Sequence, residues 1–104
     1  MEIVCLNDGS SDKSLTVLEL AAREDERIVI IDKQNEGYGA TLNCGMREAQ
    51  GRYIGIVEPD DFLDGDMFAT LFNLAKRLDF PDVVKSAYWS ASETDDVDRH
   101  LCGF

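Results

Sequence analysis

The chain reads as an α/β domain built on a mostly parallel sheet. Three observations predict that class: short apolar runs with almost no interruption, stretches of helical spacing between them, and regular alternation of the two. The runs fall at residues 3–6, 28–31, 53–57 and 83–84. Apolarity without polar alternation suits strands covered on both faces. Connecting parallel strands then requires right-handed crossovers, which the intervening helices supply.

Leu15, Leu18, Ala21 and Ala22 mark a first helix, with Ser11 or Asp12 as its N-cap. Leu42, Met46 and Ala49 mark a shorter second one. Met67, Phe68, Leu71, Leu74, Ala75 and Leu78 form the clearest apolar stripe at a period of 3.6, and predict a third. The expected order is β-α-β-α-β-α-β. After residue 90 the periodicity gives way to Glu93-Thr94-Asp95-Asp96-Val97-Asp98, which reads as an acidic loop or frayed end. Residues 1–89 are therefore expected to carry the fold and 90–104 the tail.

With 104 residues the chain has room for one core, and 44% hydrophobic with 30% charged residues is an ordinary globular balance. Ten basic against twenty-one acidic residues give a formal charge of -11, which repels nucleic acid and an anionic membrane surface. An anionic small ligand is disfavoured too, unless a divalent cation stands between it and the protein. Cys5, Cys44 and Cys102 are odd in number and widely spaced, with His100 as the sole histidine. Reduced thiols in a cytoplasmic protein are expected rather than a zinc site or a disulfide framework. No apolar run approaches the roughly 20 residues that span a bilayer. Membrane association of a longer parent would reside outside this segment.

In a parallel sheet the C-terminal ends of all strands lie along one edge, where ligands of open α/β sheets bind. Three loops then converge on that edge. They are Asn7-Asp8-Gly9-Ser10-Ser11-Asp12 after the first strand, Asp32-Lys33-Gln34-Asn35-Glu36-Gly37-Tyr38-Gly39 after the second, and Glu58-Pro59-Asp60-Asp61 after the third. Glu58, Asp60, Asp61, Asp64 and Asp66 crowd five carboxylates into nine residues with no basic residue among them. Such repulsion calls for protons, water or a cation, and hard oxygen ligands suit Mg or Mn. Asp64 and Asp66 read more simply as helix-capping residues before Met67, whereas Asp60 and Asp61, just past a buried strand, read as functional. Asp8 with Gly9 could serve only as a turn, and Asn35-x-Gly37-x-Gly39 is by itself a weak phosphate-loop signal.

In this order the motifs resemble the nucleotide-sugar-binding half of the family 2 glycosyltransferases, which adopt the Rossmann-like GT-A fold. The resemblance covers about residues 2–89. It rests on Asn7-Asp8-Gly9-Ser10-Ser11-Asp12-Lys13-Ser14, on Asn35-Glu36-Gly37-Tyr38-Gly39-Ala40-Thr41-Leu42-Asn43-x-Gly45, and on Ala49-x-Gly51-x-Tyr53-Ile54 leading to Glu58-Pro59-Asp60-Asp61. The resemblance implies that Asp8 meets the base of the donor, usually uracil, and that Asn35, Gly37, Gly39 and Asn43 shape the pocket floor under the sugar phosphate. It implies further that Asp60 and Asp61 reach the donor ribose and hold Mn or Mg on the diphosphate, with Glu58 where aspartate is more usual. The activity implied is metal-dependent, inverting transfer of a sugar, with a UDP-sugar as donor, to an acceptor hydroxyl, of the kind used in polysaccharide biosynthesis.

Three departures qualify what is carried over. Asn7 stands where the family usually has aspartate, and Leu42 where it has arginine before the asparagine. The family's first strand, upstream of residue 3, and its acceptor half with the catalytic base have no counterpart here, so no catalytic residue is assigned and the segment alone is expected to be inactive. The absent strand would lie between the strands at 3–6 and 53–57. Those two are expected either to close directly or to leave edges that a second copy of the chain fills. Two other readings compete. One is a receiver-like signalling module that binds Mg and accepts phosphate on an aspartate, suggested by Lys85 just past the last strand. The other is an interaction module without ligand. His100 is read as a surface residue and Trp89 as packing at the sheet edge.

Overall fold

A computed structural model of the chain describes residues 1–90 and 100–102, for 89–90 and 100–102 the backbone alone. The elements are β1 (Ile3–Asp8), α1 (Ser14–Glu24), β2 (Ile28–Lys33), α2 (Tyr38–Glu48), α3 (Met67–Arg77), β3 (Tyr88–Ser90) and β4 (His100–Cys102). They divide between two units, Met1–Ile56 and Val57–Phe104.

The first unit is a β-α-β-α segment. β1 and β2 run parallel in a register that pairs Ile3 with Ile28 and ends with Asn7 opposite Asp32 and Asp8 opposite Lys33. The crossover between them is α1, which packs on both strands, while α2 packs on β1. Leu15, Leu18, Ala21 and Ala22 are the partly covered face of α1, as their spacing predicts, and Val17 and Leu20 face outward. The helix begins slightly later than expected, with Lys13 at the N-cap. Asp12 nonetheless serves it, accepting the Ser14 amide at 2.9 Å. At the other end Asp25 takes the Arg27 guanidinium, Nε at 2.9 and 3.2 Å and Nη2 at 2.7 Å, and the Arg27 amide at 3.0 Å. That turn sets the entry into β2.

Close packing of α2 on β1 depends on Gly45. A Cβ there would come within 3.0 Å of Leu6 Cδ1. Met46, expected in the apolar stripe of this helix, is instead exposed, because Leu42, Cys44 and Gly45 form the covered side.

In the second unit α3 follows its predicted stripe as far as Ala75, which is buried at 1% exposure, with Met67, Phe68, Leu71 and Leu74 partly covered, whereas Leu78, at the C-cap, is exposed. The helix ends in two consecutive left-handed residues, Asp79 (φ 58°) and Phe80 (φ 57°). There the Phe80 amide reaches back to the Ala75 carbonyl at 2.8 Å. Phe80 then lies against Phe72, ring centroids 6.3 Å apart, which offsets the cost of left-handed non-glycine backbone.

Two expected strands are not formed where the apolar runs place them. Residues 53–57 pair with no strand among the described residues, and Ile54, Ile56 and Val57 are exposed. An apolar run becomes a strand only beside another strand that takes up its backbone groups. Of the two expected outcomes for residues 3–6 and 53–57, direct closure therefore does not occur. Residues 83–84 also lie outside any strand; β3 starts at Tyr88 and pairs antiparallel with β4. Lys85 consequently does not follow a strand end, which removes the feature that suggested a receiver-like module. The ladder reaches into the stretch expected to be loop or frayed end. The acidic residues 93–98 and the side chains of Trp89 and His100 lie outside the described residues.

The α/β order with its parallel pair is that of a partial GT-A, Rossmann-like fold. Replacing Gly45 with leucine tests the packing of its first unit. Helix propensity favours leucine by about 1 kcal/mol, whereas overpacking costs about 1–3 kcal/mol. Steric conflict with Leu6 should win, and urea unfolding should show a lower midpoint for Gly45→Leu than for the unaltered chain.

Candidate functional site

The C-terminal ends of β1 and β2 carry two cross-strand polar pairs in succession. Asn7 is buried, 5% exposed, and its Nδ2 donates to Asp32 Oδ1 at 2.7 Å. One residue further, Lys33 Nζ meets Asp8 Oδ1 at 2.6 Å, with the two side chains 14% and 22% exposed. Successive residues of a strand point to opposite faces, so the pairs secure the same strand ends from both sides.

Asp8 is the hub of this arrangement. Besides Lys33, its Oδ1 accepts the Glu36 amide at 3.0 Å, and its Oδ2 accepts the Gly37 amide at 3.1 Å. The Lys33 ammonium, first, and the Glu36 amide, next, hold the Asp8 carboxyl down at about 2. The Thr41 hydroxyl, in the first turn of α2, lies near enough to contribute to that depression. It is buried and makes no hydrogen bond of ordinary geometry.

Two glycines make the loop crossing possible. Gly9 has φ +71°, and a Cβ on it would lie 2.8 Å from the Asn35 amide nitrogen. The turn after β1 is therefore pressed against the loop after β2, and Asn35 is placed by that contact. Gly37 has φ +92° and stands at the N-cap of α2, its carbonyl accepting the Thr41 amide at 3.0 Å. Gly39 and Asn43 belong to α2 itself and are exposed. Beyond the chain neighbours and, for Gly39, the backbone of its own helix, no atom among the described residues lies within 4 Å of where a Cβ on Gly37 or Gly39 would sit, so both leave open space.

The second unit holds the acidic motif. Glu58, Pro59, Asp60 and Asp61 form a turn closed by the Asp61 amide and the Glu58 carbonyl at 3.0 Å. Proline at its second position suits that geometry. Asp60 and Asp61 are exposed and Glu58 is partly covered. Asp64 organises the start of α3: its carboxylate accepts the Asp66 amide at 3.3 Å and its carbonyl the Met67 amide at 3.0 Å. Asp66 is the N-cap residue but makes no side-chain capping bond.

Among the described residues no three His, Cys, Asp or Glu side chains are grouped so as to enclose a metal by themselves. Two adjacent exposed carboxylates are, however, a donor set of the kind Mg and Mn use when substrate phosphates and water complete the shell. The residues fit such a shared site.

Of the residues singled out in the sequence, the structure joins Asp8, Asn35 and Gly37 through the Asp8 and Gly9 contacts. Sequence reasoning passed over Lys33, Thr41 and the Asn7–Asp32 pair. For Lys33 a signal existed: it is the one cation in its loop, and parallel register sets it opposite Asp8.

Comparison with known proteins identifies the family. The family model described as "Glycosyl transferase family 2" matches residues 1–102. The chain is 35% identical over 92 residues to "Uncharacterized glycosyltransferase EpsJ" of Bacillus subtilis, covering 88% of the chain and 26% of that protein. It is 33% identical over 101 residues to "Putative glycosyltransferase EpsH" of the same organism, covering 97% of the chain and 28% of that protein. A "Cholesterol galactosyltransferase" of Borreliella burgdorferi is 36% identical over 88 residues, covering 85% of the chain and 24% of that protein. The chain belongs to glycosyltransferase family 2. It spans about a quarter of the length of these relatives.

Two substitutions test the loop geometry. Gly9→Ala forces a Cβ against the Asn35 backbone at a left-handed residue. It should lower stability by about 1–3 kcal/mol in thermal unfolding and shift the amide resonances of Asn35, Glu36 and Gly37. Asn7→Asp restores the family's usual residue but sets a second carboxylate against Asp32. One of the two should then titrate above its ordinary range. Stability should fall by about 1–3 kcal/mol at pH 7 and recover as the pH drops through that raised pKa, because protonation relieves the repulsion. Unfolding measured at pH 7 and pH 4 reads the difference.

Proposed function

We propose that this chain supplies the nucleotide-sugar-binding part of a metal-dependent, inverting glycosyltransferase that uses a UDP-sugar. The observation that carries this reading is the Asp8 carboxylate. It stands at the position that the family resemblance gives to base recognition, it is held ionised, and it is tied by two amides to the loop of Asn35 and Gly37. Lys33, Glu36 and Gly37 hold it in place, with the Thr41 hydroxyl beside it, and a carboxylate so fixed is an acceptor suited to a ring N–H such as that of uracil. Asn35, Gly37, Gly39 and Asn43 form the floor beneath the sugar phosphate, with Gly37 and Gly39 leaving space for it.

Asp60 and Asp61 are the residues that would hold Mn or Mg on the donor, with Asp60 and Glu58 also facing the ribose. When bound, the metal neutralises the diphosphate and stabilises it as a leaving group. A chain of charge -11 would otherwise repel a diphosphate. The acceptor hydroxyl and the base that deprotonates it belong to a part of the enzyme beyond this segment, so the segment alone binds donor weakly and does not turn over. No helix among the described residues is long and apolar enough to cross a membrane. A cytoplasmic setting for this segment, with Cys5 and Cys44 as free thiols, is part of the proposal.

Heteronuclear NMR of the chain tests it. UDP with Mg should shift the amides of Gly9, Glu36 and Gly37. UDP should also strengthen paramagnetic broadening by Mn at Asp60 and Asp61, and Asp61→Asn should weaken that broadening at least tenfold in Mn concentration. Asp8→Asn should abolish the UDP shifts at the loop. Shifts confined to other residues, or Mn broadening indifferent to UDP, would remove the reading.

A further inference from the structure

Lys33 is a polar residue of this region to which neither the motifs nor the family resemblance assigns a role. Its side chain is mostly covered, and its ammonium has three protons to donate. All three have acceptors: Asp8 Oδ1 at 2.6 Å, Glu36 Oε2 at 2.9 Å and the Gln34 carbonyl at 3.0 Å. Covering an ammonium is costly unless it is paired in this way. A fully committed ammonium has no proton left for a ligand, so a direct phosphate contact is not its role.

Its partners define what it does. One contact crosses from β2 to the end of β1, and the other two fold the loop after β2 back on itself. Glu36 joins the same cluster twice, its amide on Asp8 and its carboxylate on Lys33. Without the ammonium, the Glu36 carboxylate would face Asp8 with nothing between them, and like charges would drive the loop off the strand end.

We propose that Lys33 is a positioning residue of the donor site: by bridging Asp8, Glu36 and the Gln34 carbonyl it fixes both the Asp8 carboxylate and the 34–37 loop in the arrangement that receives the nucleotide base. Its consequence for binding rests on the donor reading above; its hold on Asp8 does not. The charged groups around Asp8 in this cluster are Lys33 and Glu36, and Thr41 contributes a neutral hydroxyl from α2.

Lys33→Met and Lys33→Arg, made in the full chain, separate the parts of this inference. The Asp8 carboxyl carbon, followed by NMR against pH, should titrate near 2 in the unaltered chain and move up toward the ordinary carboxylate range in Lys33→Met. Because the native pKa is the lowered one, the stability tied to it is present above the ordinary value and lost as pH falls toward 2. Lys33→Met should lack that loss. Glu36 and Gly37 amides should exchange at least tenfold faster in Lys33→Met, and Lys33→Arg should restore both readouts. UDP affinity should fall at least tenfold in Lys33→Met and return in Lys33→Arg, while Mn broadening at Asp60 and Asp61 with inorganic pyrophosphate stays as in the unaltered chain. An unmoved Asp8 titration, unchanged amide exchange or undiminished UDP affinity in Lys33→Met would overturn the assignment. Loss of pyrophosphate-dependent broadening along with UDP binding would also overturn it, since that marks general disruption. The expected changes of Asp8 titration and amide exchange in Lys33→Met, with no UDP binding by the unaltered chain, would defeat the donor reading and leave the hold of Lys33 on Asp8 supported. If Lys33→Met does not fold, Lys33→Gln, which keeps donors without the charge, takes its place under the same criteria.

Discussion

The first unit is organised around one carboxylate. Asp8 terminates β1, neutralises a covered lysine from β2 and accepts two amides of the loop that starts α2. Backbone amides at the start of a helix are the groups that lack partners within it, and a carboxylate is their natural acceptor. By taking the amides of Glu36 and of the N-cap residue Gly37, Asp8 gives the loop leading into α2 a defined course. Gly9 makes the approach geometrically possible, because any side chain there would collide with Asn35. Removing either the charge or the glycine loosens the same crossing from different sides.

How much of this was legible in the sequence depends on the range over which each signal acts. The three helices and the first two strands follow from local periodicity, and the structure forms them within a few residues of the expected bounds. The runs at 53–57 and 83–84 have equal apolarity, yet neither forms a strand at its expected place. Apolarity reports that a segment gains by being covered; pairing requires a neighbouring strand, and that is a tertiary property. Residues 88–90 carry a weaker apolar signal, but a pairing segment at 100–102 makes them a strand.

The candidate site divides along the same line. Asp8, Asn35 and Gly37, which the structure brings together, stand out in the sequence because they lie in ordered motifs of a family to which the chain belongs. Lys33 does not, because its role comes from the register of two strands 25 residues apart rather than from its neighbours in the chain. Asn7 shows the converse. Its departure from the family's usual aspartate looked like a lost contact, but the structure supplies a local reason for it. Asp32 stands directly opposite, and an amide can donate to that carboxylate where another carboxylate would repel it. The asparagine is complementary to its partner.

Electrostatics sets the two groups of acidic residues apart in what they can do. Asp8 is compensated within the protein, since a covered ammonium and two amides already balance its charge. It needs no further counter-ion. Asp60 and Asp61 sit exposed in a proline turn whose four residues include three carboxylates and no cation. Their charge is balanced by solvent, and a hard divalent ion arriving with a phosphate would exchange weak compensation by water for direct ligation. Under the proposed function, Asp8 would meet a neutral polar edge and Asp60 with Asp61 a cation. The donor proposed above presents both demands, a base with N–H donors and a diphosphate that must be neutralised.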